Sequence, residues 1–284
     1  MKRGWLVNLG MLAAIALLAW AAMRMPSRDN DSAQTLSAIK PAQAQHVVLS
    51  RPGRPALELR REDGQWRIGA PLQARADEFQ VLRMLTVLEA KPTAQMPAHD
   101  LERFGLQSPA AVLNVDGTEY AFGDINTVTR EQYVKRGDTV YVVELRHGAA
   151  LPADAVALLR RALLAENEVP TGILLPAFSV RQKDGRWLLD PPSADAGPDE
   201  LQQYVDRWRQ AAAARAETHD GRPSLADVRI ELRSGAPLVF SILQREPQLV
   251  LWRPDNGLQY TFLAGAGQLL LTPPDRPVSV KNNK

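Results

Sequence analysis

Two hairpin corners of one design, 121 positions apart, constrain this chain more than any other feature. The first is "REDGQWRI" at residues 61–68, and the second is "RQKDGRWLL" at residues 181–189. Asp-Gly between two alternating runs is the strongest short-range signal for a two-residue β-hairpin, because both turn residues must take positive φ. Such a turn pairs Glu62 with Gln65, Arg61 with Trp66 and Leu59 with Ile68, so Leu57, Leu59, Trp66 and Ile68 share a face and Arg61 lies over the indole. Shifted by 121 positions, Phe178, Val180, Asp184, Gly185, Trp187 and Leu189 take the same places without a gap. Asp63, Gly64 and Trp66, with Asp184, Gly185 and Trp187, therefore read as structural residues. Each corner fixes a register that turns its tryptophan into a core.

The segments after the two corners repeat as well. Pro71 leads to Asp77-Glu78, and Pro191-Pro192 lead to Asp199-Glu200, in each case acids placed to open a helix at its positive end. The first helix, from Asp77 to about Ala90, carries Val81, Leu82, Leu85 and Leu88. The second, from Asp199 to about Ala214, carries Leu201, Tyr204, Val205, Trp208, Ala211 and Ala212, an apolar stripe of period 3.6. Strands then resume, with turns at Asp116-Gly117 and near Arg136-Gly137-Asp138 in the first half, and at Ser234-Gly235 and Pro254 to Gly257 in the second. Phe122 matches Phe240, Gln132 matches Gln248 and Tyr141 matches Tyr260, at offsets of 118, 116 and 119 that loop insertions and deletions account for.

The fold class expected is α+β: two homologous units, each a mainly antiparallel sheet with one covering helix in the order β-β-α-β-β-β-β. The units span residues 46–148 and 172–284. Residues 149–171, with Ala155, Leu158, Leu159 and Leu163, read as a connecting helix ending before Pro170. A short helical turn in "AHDLERFG", residues 98–105, stops at Gly105, and the second half has "HDGRP" there instead.

Ahead of the first unit, residues 4–23 ("GWLVNLGMLAAIALLAWAAM") carry no charge, one polar side chain at Asn8, and tryptophans near both ends. That length crosses a bilayer as a helix, with indoles at the interfaces. Lys2 and Arg3 keep the N-terminus inside and send the bulk of the chain out, giving a single-pass inner-membrane protein with a periplasmic ectodomain. A cleaved signal peptide is the competing reading, with Ala19-Trp20-Ala21 as its cleavage site. Residues 24–45, polar and small with two prolines, read as a linker.

The chain has no cysteine, which excludes a disulfide framework and a thiol nucleophile and suits an oxidising compartment. It carries 34 basic and 32 acidic residues, and two of the bases, Lys2 and Arg3, precede the apolar segment. The exported part is neutral, so nucleic acid is not an expected partner.

No motif for catalysis, cofactor or metal emerges. His46, His99, His147 and His219 lie far apart and read as exposed structural residues. "RDNDSA", residues 28–33, opens like a calcium loop, but Gln34 and Lys40 stand where glycine and an acid are needed. "GAGQLL", residues 265–270, lacks the third glycine and the context of a dinucleotide fingerprint. Phosphate-loop, nucleophile-elbow and His-Glu-x-x-His patterns are absent from the sequence. Trp208 reads as core, whereas Trp252, Tyr133 and Tyr120 are candidates for an exposed aromatic patch.

Trp66, Pro71, Ala76-Asp77, "DLERFGLQSP" (residues 100–109), Phe122-Gly123 and "QYVKRGDTVYVV" (residues 132–143) together resemble an uncharacterised bacterial domain of unknown function. The likeness is best over residues 66–143, and the second half shares only its hairpin and helix. It implies a membrane-anchored, exported protein, often encoded beside gliding-motility-type ABC transporter components, and transfers no catalytic residue. The function expected is a non-catalytic accessory or scaffold protein of an ABC-type transporter or envelope assembly. A periplasmic ligand-binding module for a glycan, lipid or peptide is the alternative, and a hydrolase would need Ser, Asp or Glu residues converging only in space.

Overall fold

The computed structural model describes residues 35–275. The expected membrane segment, residues 4–23, and the calcium-loop look-alike at residues 28–33 lie outside them. Among the described residues no helix is long and apolar enough to cross a membrane.

Two mainly antiparallel sheets and a few helices make up the fold. The first half contributes β1 (His46–Ser50), β2 (Leu57–Glu62), β3 (Gln65–Ala70), β4 (Ala74–Arg75), α1 (Glu78–Met84), β5 (Ala94–Pro97), β6 (Ala111–Val115), β7 (Thr118–Asn126), β8 (Glu131–Arg136), β9 (Thr139–Glu144) and α2 (Leu145–Ala149). The second contributes β10 (Pro170–Leu174), β11 (Ser179–Lys183), β12 (Arg186–Asp190), α3 (Pro198–Arg209), β13 (Arg215–Thr218), β14 (Ala226–Leu232), β15 (Leu238–Gln244), β16 (Leu249–Arg253), β17 (Leu258–Phe262) and α4 (Ala264–Leu271). The first sheet runs β4-β3-β2-β1-β6-β7-β8-β9-β5 and the second β12-β11-β10-β14-β15-β16-β17-β13. With the two-residue β4 set aside, the two orders are identical.

Both Asp-Gly corners adopt the turn their sequence calls for. Asp63 and Gly64 have φ of 50° and 78°, and Asp184 and Gly185 have 49° and 76°. The first hairpin pairs Glu62 with Gln65, Arg61 with Trp66 and Leu59 with Ile68. The second pairs Lys183 with Arg186 and Gln182 with Trp187. The two tryptophans then part company: Trp66 is fully buried, with Arg61 over its ring at 5.9 Å, but Trp187 is only half-buried and its Nε1 donates to Gln202 Oε1 at 2.8 Å. Register alone does not turn Trp187 into the core, because its strand ends the sheet and α3 meets the ring with the polar Gln202.

The first half has three more strands than the expected order, the two-residue β4 among them, and the second half has two more. β1 and β10 precede the hairpins, and β5 and β13 come after the helices to close the far edge of each sheet. The edge strands are four residues each and show no alternation, which is why periodicity misses them. α1 is opened by Asp77, whose Oδ1 accepts from the Gln80 amide at 3.1 Å, and gives way to a tighter turn at Leu85–Glu89. α3 has Pro198 at its first turn with Asp199 and Glu200, and ends at Arg209, earlier than the apolar stripe suggests. Its inward face holds Leu201, Tyr204, Val205 and Trp208. Trp208 Nε1 donates to Tyr204 Oη (3.0 Å) and to the Leu270 carbonyl (3.1 Å), tying α3 to α4.

Two segments differ from their sequence reading. The end of the expected linker is packed: Leu36 is fully buried and its amide donates to the Ala90 carbonyl at 2.8 Å. Ser37, Pro41 and Ala44 are buried along with it, and such an irregular set leaves no periodic trace. The expected connecting helix is reduced to one turn, Ala155–Leu158, capped by Asp154 Oδ1 accepting from Ala157 N. Beyond it the chain is extended and bridges Leu159 to Ala76 and Ala162 to Ala212. Leu158, Leu159, Leu163 and Leu164 are all buried, so a run buried on several sides mimics one helical face.

The chain divides into two compact bodies. One comprises the described residues up to Gln43 with Leu85–Val112 and Thr118–Ala150; the other comprises Ala44–Met84, Leu113–Gly117 and the residues from Leu151 on. In the first body, "FGL" forms the end of a helical turn, Leu101–Phe104, with Gly105 at φ 64° as its stop. Phe104, Leu106, Ala121 and Val140 form its buried cluster, and the Phe104 ring lies 4.8 Å from that of Tyr133. Gly123 is what lets this turn approach the sheet: a Cβ there would collide with the Phe104 carbonyl and stand 2.8 Å from Leu106 Cγ. Gly123→Ala is expected to cost about 1–3 kcal/mol in urea unfolding, whereas Gly265→Ala, in open space on α4, is expected to be neutral or slightly stabilising.

Candidate functional site

A polar cleft of about 820 Å³ lies within the second body. Its walls are the β2–β3 hairpin with β4, the loop at residues 165–168, and the turn after β16. β16 reads Leu249, Val250, Leu251, Trp252, Arg253, and the alternation that buries Leu249 and Leu251 also carries Arg253 inward. The Arg253 side chain is 6% exposed. An isolated guanidinium there would be costly, and the fold surrounds it with acceptors.

Glu168 receives Arg253 in a fork, with Nη2 to Oε1 at 2.7 Å and Nη1 to Oε2 at 3.1 Å. Asp255 accepts from Nε at 2.8 Å and from Nη2 at 2.9 Å, and the Leu163 carbonyl accepts from Nη1 at 2.9 Å. The guanidinium also sits 5.7 Å from the Phe240 ring centre. Arg75, from β4, donates through Nη2 to the carbonyls of Ala162 and Leu163, and its Nη1 stands 4.0 Å from Glu168 Oε2. That Nη1 is buried without a hydrogen-bond partner in the described structure. One carboxylate is thus shared between a fully bonded guanidinium and a partly bonded one.

The electrostatics follow from this packing. Burial pushes the Glu168 carboxyl up, but the Arg253 hydrogen bonds, the Ala165 amide and the charges of Arg253 and Arg75 overcome it and hold its pKa below the ordinary range. Burial works against Arg253 as well, and its bonds to Glu168 and Asp255 outweigh that and raise its pKa. Burial lowers the Arg75 pKa, opposed by Glu168. A carboxyl with a depressed folded pKa stabilises the fold above its unfolded pKa and loses that contribution as pH falls through the folded value. Thermal melts should show stability falling below about pH 4, and Glu168→Gln should be less stable at pH 7 with a flatter acid limb.

Of the residues singled out in the sequence, Asp63 lines this cleft, while Trp66 lies beneath the same hairpin in the core. Asp184, Gly185 and Trp187 belong to the other hairpin and do not line it. Tyr120 is fully buried, so it forms no surface patch. Trp252 stacks on His219 with ring centres 4.1 Å apart and planes 11° apart. His147 is 6% exposed rather than a surface residue, and burial with Arg146 nearby lowers its pKa. Among the described residues no group of three or more His, Asp or Glu is placed to hold a metal ion.

Sequence reasoning misses Arg75, Glu168, Arg253 and Asp255. A signal exists for Arg253, which falls on the inward parity of an otherwise apolar strand with an acid two positions on. Glu168 gives none, since its role depends on an irregular segment.

Residues 66–219 match a family described as "Domain of unknown function (DUF4340)", over more than half of the chain. The chain belongs to the DUF4340 family. The matched span includes Arg75 and Glu168 but stops before Arg253 and Asp255. It holds the whole FGL turn and, in the second half, the hairpin, α3 and β13. The comparisons with curated proteins and with solved structures gave no match.

Proposed function

We infer that this DUF4340 protein is a non-catalytic, membrane-anchored accessory or scaffold subunit with a periplasmic ectodomain, working with an ABC-type transporter or envelope assembly. The observation that supports the non-catalytic part is the cleft floor, where Arg253, Glu168 and Asp255 are engaged with one another rather than turned to a substrate. A general acid needs a raised pKa, and this arrangement works in the opposite direction. Residues 4–23, uncharged and of bilayer-spanning length, support the anchor, and the neutral exported chain supports a protein partner over nucleic acid. Crosslinking in intact membranes followed by affinity purification tests this reading. Recovery of a transporter or envelope subunit is expected, and recovery of the chain without one contradicts it.

A second reading is favoured by Arg75 Nη1, which has no hydrogen-bond partner among the described residues, and by the size of the cleft: a periplasmic ligand-binding module. The charged walls suit a peptide or glycan and offer little to a lipid tail. A thermal-shift screen with envelope peptides and glycans discriminates, since a ligand of the folded state raises the melting temperature, and Arg75→Ala should abolish the shift.

A further inference from the structure

β12 is the terminal strand of the second sheet. Its counterpart β3 is covered, because β4 pairs along it at Arg67–Arg75 and Ile68–Ala74. Pro191 and Pro192 come directly after β12, and the described residues 191–197 form no covering strand. An edge of this kind presents unpaired amides and carbonyls to another chain. The Lys183–Arg186 pair closes the two-residue turn, so alternation points the backbone groups of Arg186, Leu188 and Asp190 toward β11 and those of Trp187 and Leu189 outward.

The strand reads Arg-Trp-Leu-Leu-Asp, and run antiparallel against itself about Leu188 it is self-complementary. Arg186 meets Asp190 of a second copy, Trp187 meets Leu189, and Leu188 meets Leu188. The two Trp187–Leu189 pairs bring together the outward backbone groups. Leu188 falls at a non-hydrogen-bonded position on the two-fold axis, where opposing side chains approach most closely. Leu188 is 50% exposed, and neither Arg186 nor Asp190 has an ion-pair partner among the described residues. Lys183 lies directly opposite Arg186 within the hairpin, a like-charge pair that an acid on the other flank would relieve. The first half has Gln65, Arg67 and Gly69 at the matching positions, so the device belongs to the second half alone.

We propose that β12 is an interface between two copies of this chain, pairing with itself about Leu188 to continue the second sheet across a closed two-fold dimer. The interface is independent of the accessory role. The chain has no cysteine, so Leu188→Cys in the full chain, purified in mild detergent, gives a clean probe. At the two-fold the Cα atoms come to about 4.5 Å, within disulfide reach. Rapid oxidation to a dimer is expected, at least tenfold faster than for Leu225→Cys, an exposed control position. Arg186→Asp should weaken the dimer about tenfold in sedimentation, and Arg186→Asp combined with Asp190→Arg should restore it. These positions are exposed, and circular dichroism of each variant should match the parent. Crosslinking no faster than the control, a dimer indifferent to Arg186→Asp, or capture of a different protein by Leu188→Cys overturns the proposal.

Discussion

Arg253→Met is expected to destabilise the fold by about 3–5 kcal/mol, enough to shift a urea midpoint by a molar unit or more. The loss comes mostly from what is left behind. Methionine fills the space over Phe240, but Glu168 keeps a largely buried carboxylate held by the Ala165 amide at 2.6 Å with Arg75 4.0 Å away, and the Leu163 carbonyl loses a donor. Asp255→Asn should cost far less, under about 1 kcal/mol, because its side chain is 53% exposed and water replaces the lost bond. Pairing Arg253→Met with Glu168→Leu should recover only part of the stability, since the buried carboxylate is gone but the largely buried Arg75 then loses its counter-charge.

Trp66→Ala and Trp187→Ala are expected to differ sharply although the two residues occupy equivalent corners. Trp66 is 1% exposed, so its removal should cost about 3–5 kcal/mol through lost burial and the cavity left under the hairpin. Trp187 is half-buried and held by one exposed hydrogen bond to Gln202, so its removal should cost about 1 kcal/mol. Equilibrium unfolding of the two variants under one set of conditions measures the difference. Equal costs would mean that both corners still anchor a core.

The two hairpins, both main helices and the larger strands are legible because alternation and Asp-Gly turns are local signals, and the register at Glu62–Gln65 comes from the turn alone. Leu151 to Leu164 misleads for a physical reason. Its leucines are buried from several directions in an irregular segment, and that pattern cannot be told from a helix without its neighbours. The edge strands β5 and β13 are invisible because they are held by backbone pairing, to which their side chains contribute little. Gly123 stands out as part of a motif, but its reason, the close approach of the Phe104 turn, is a contact across the sheet.

The cleft is illegible for a related reason. Its central pair joins Glu168 to Arg253, 85 positions apart, and neither element carries a motif. What the chain does display is a parity violation, an arginine where a strand turns inward. A charge on an inward position has to be answered by another buried charge, and Glu168 is that answer.

The most direct measurement is a carbon-13 NMR titration of the Glu168 side-chain carboxyl, assigned with Glu168→Gln. A Glu168 that titrates below the ordinary glutamate range would show that its carboxyl is the anionic half of an ion pair built into the floor of the cleft. A Glu168 that titrates near neutrality would contradict this, because a carboxyl poised there is equipped to exchange protons with a substrate.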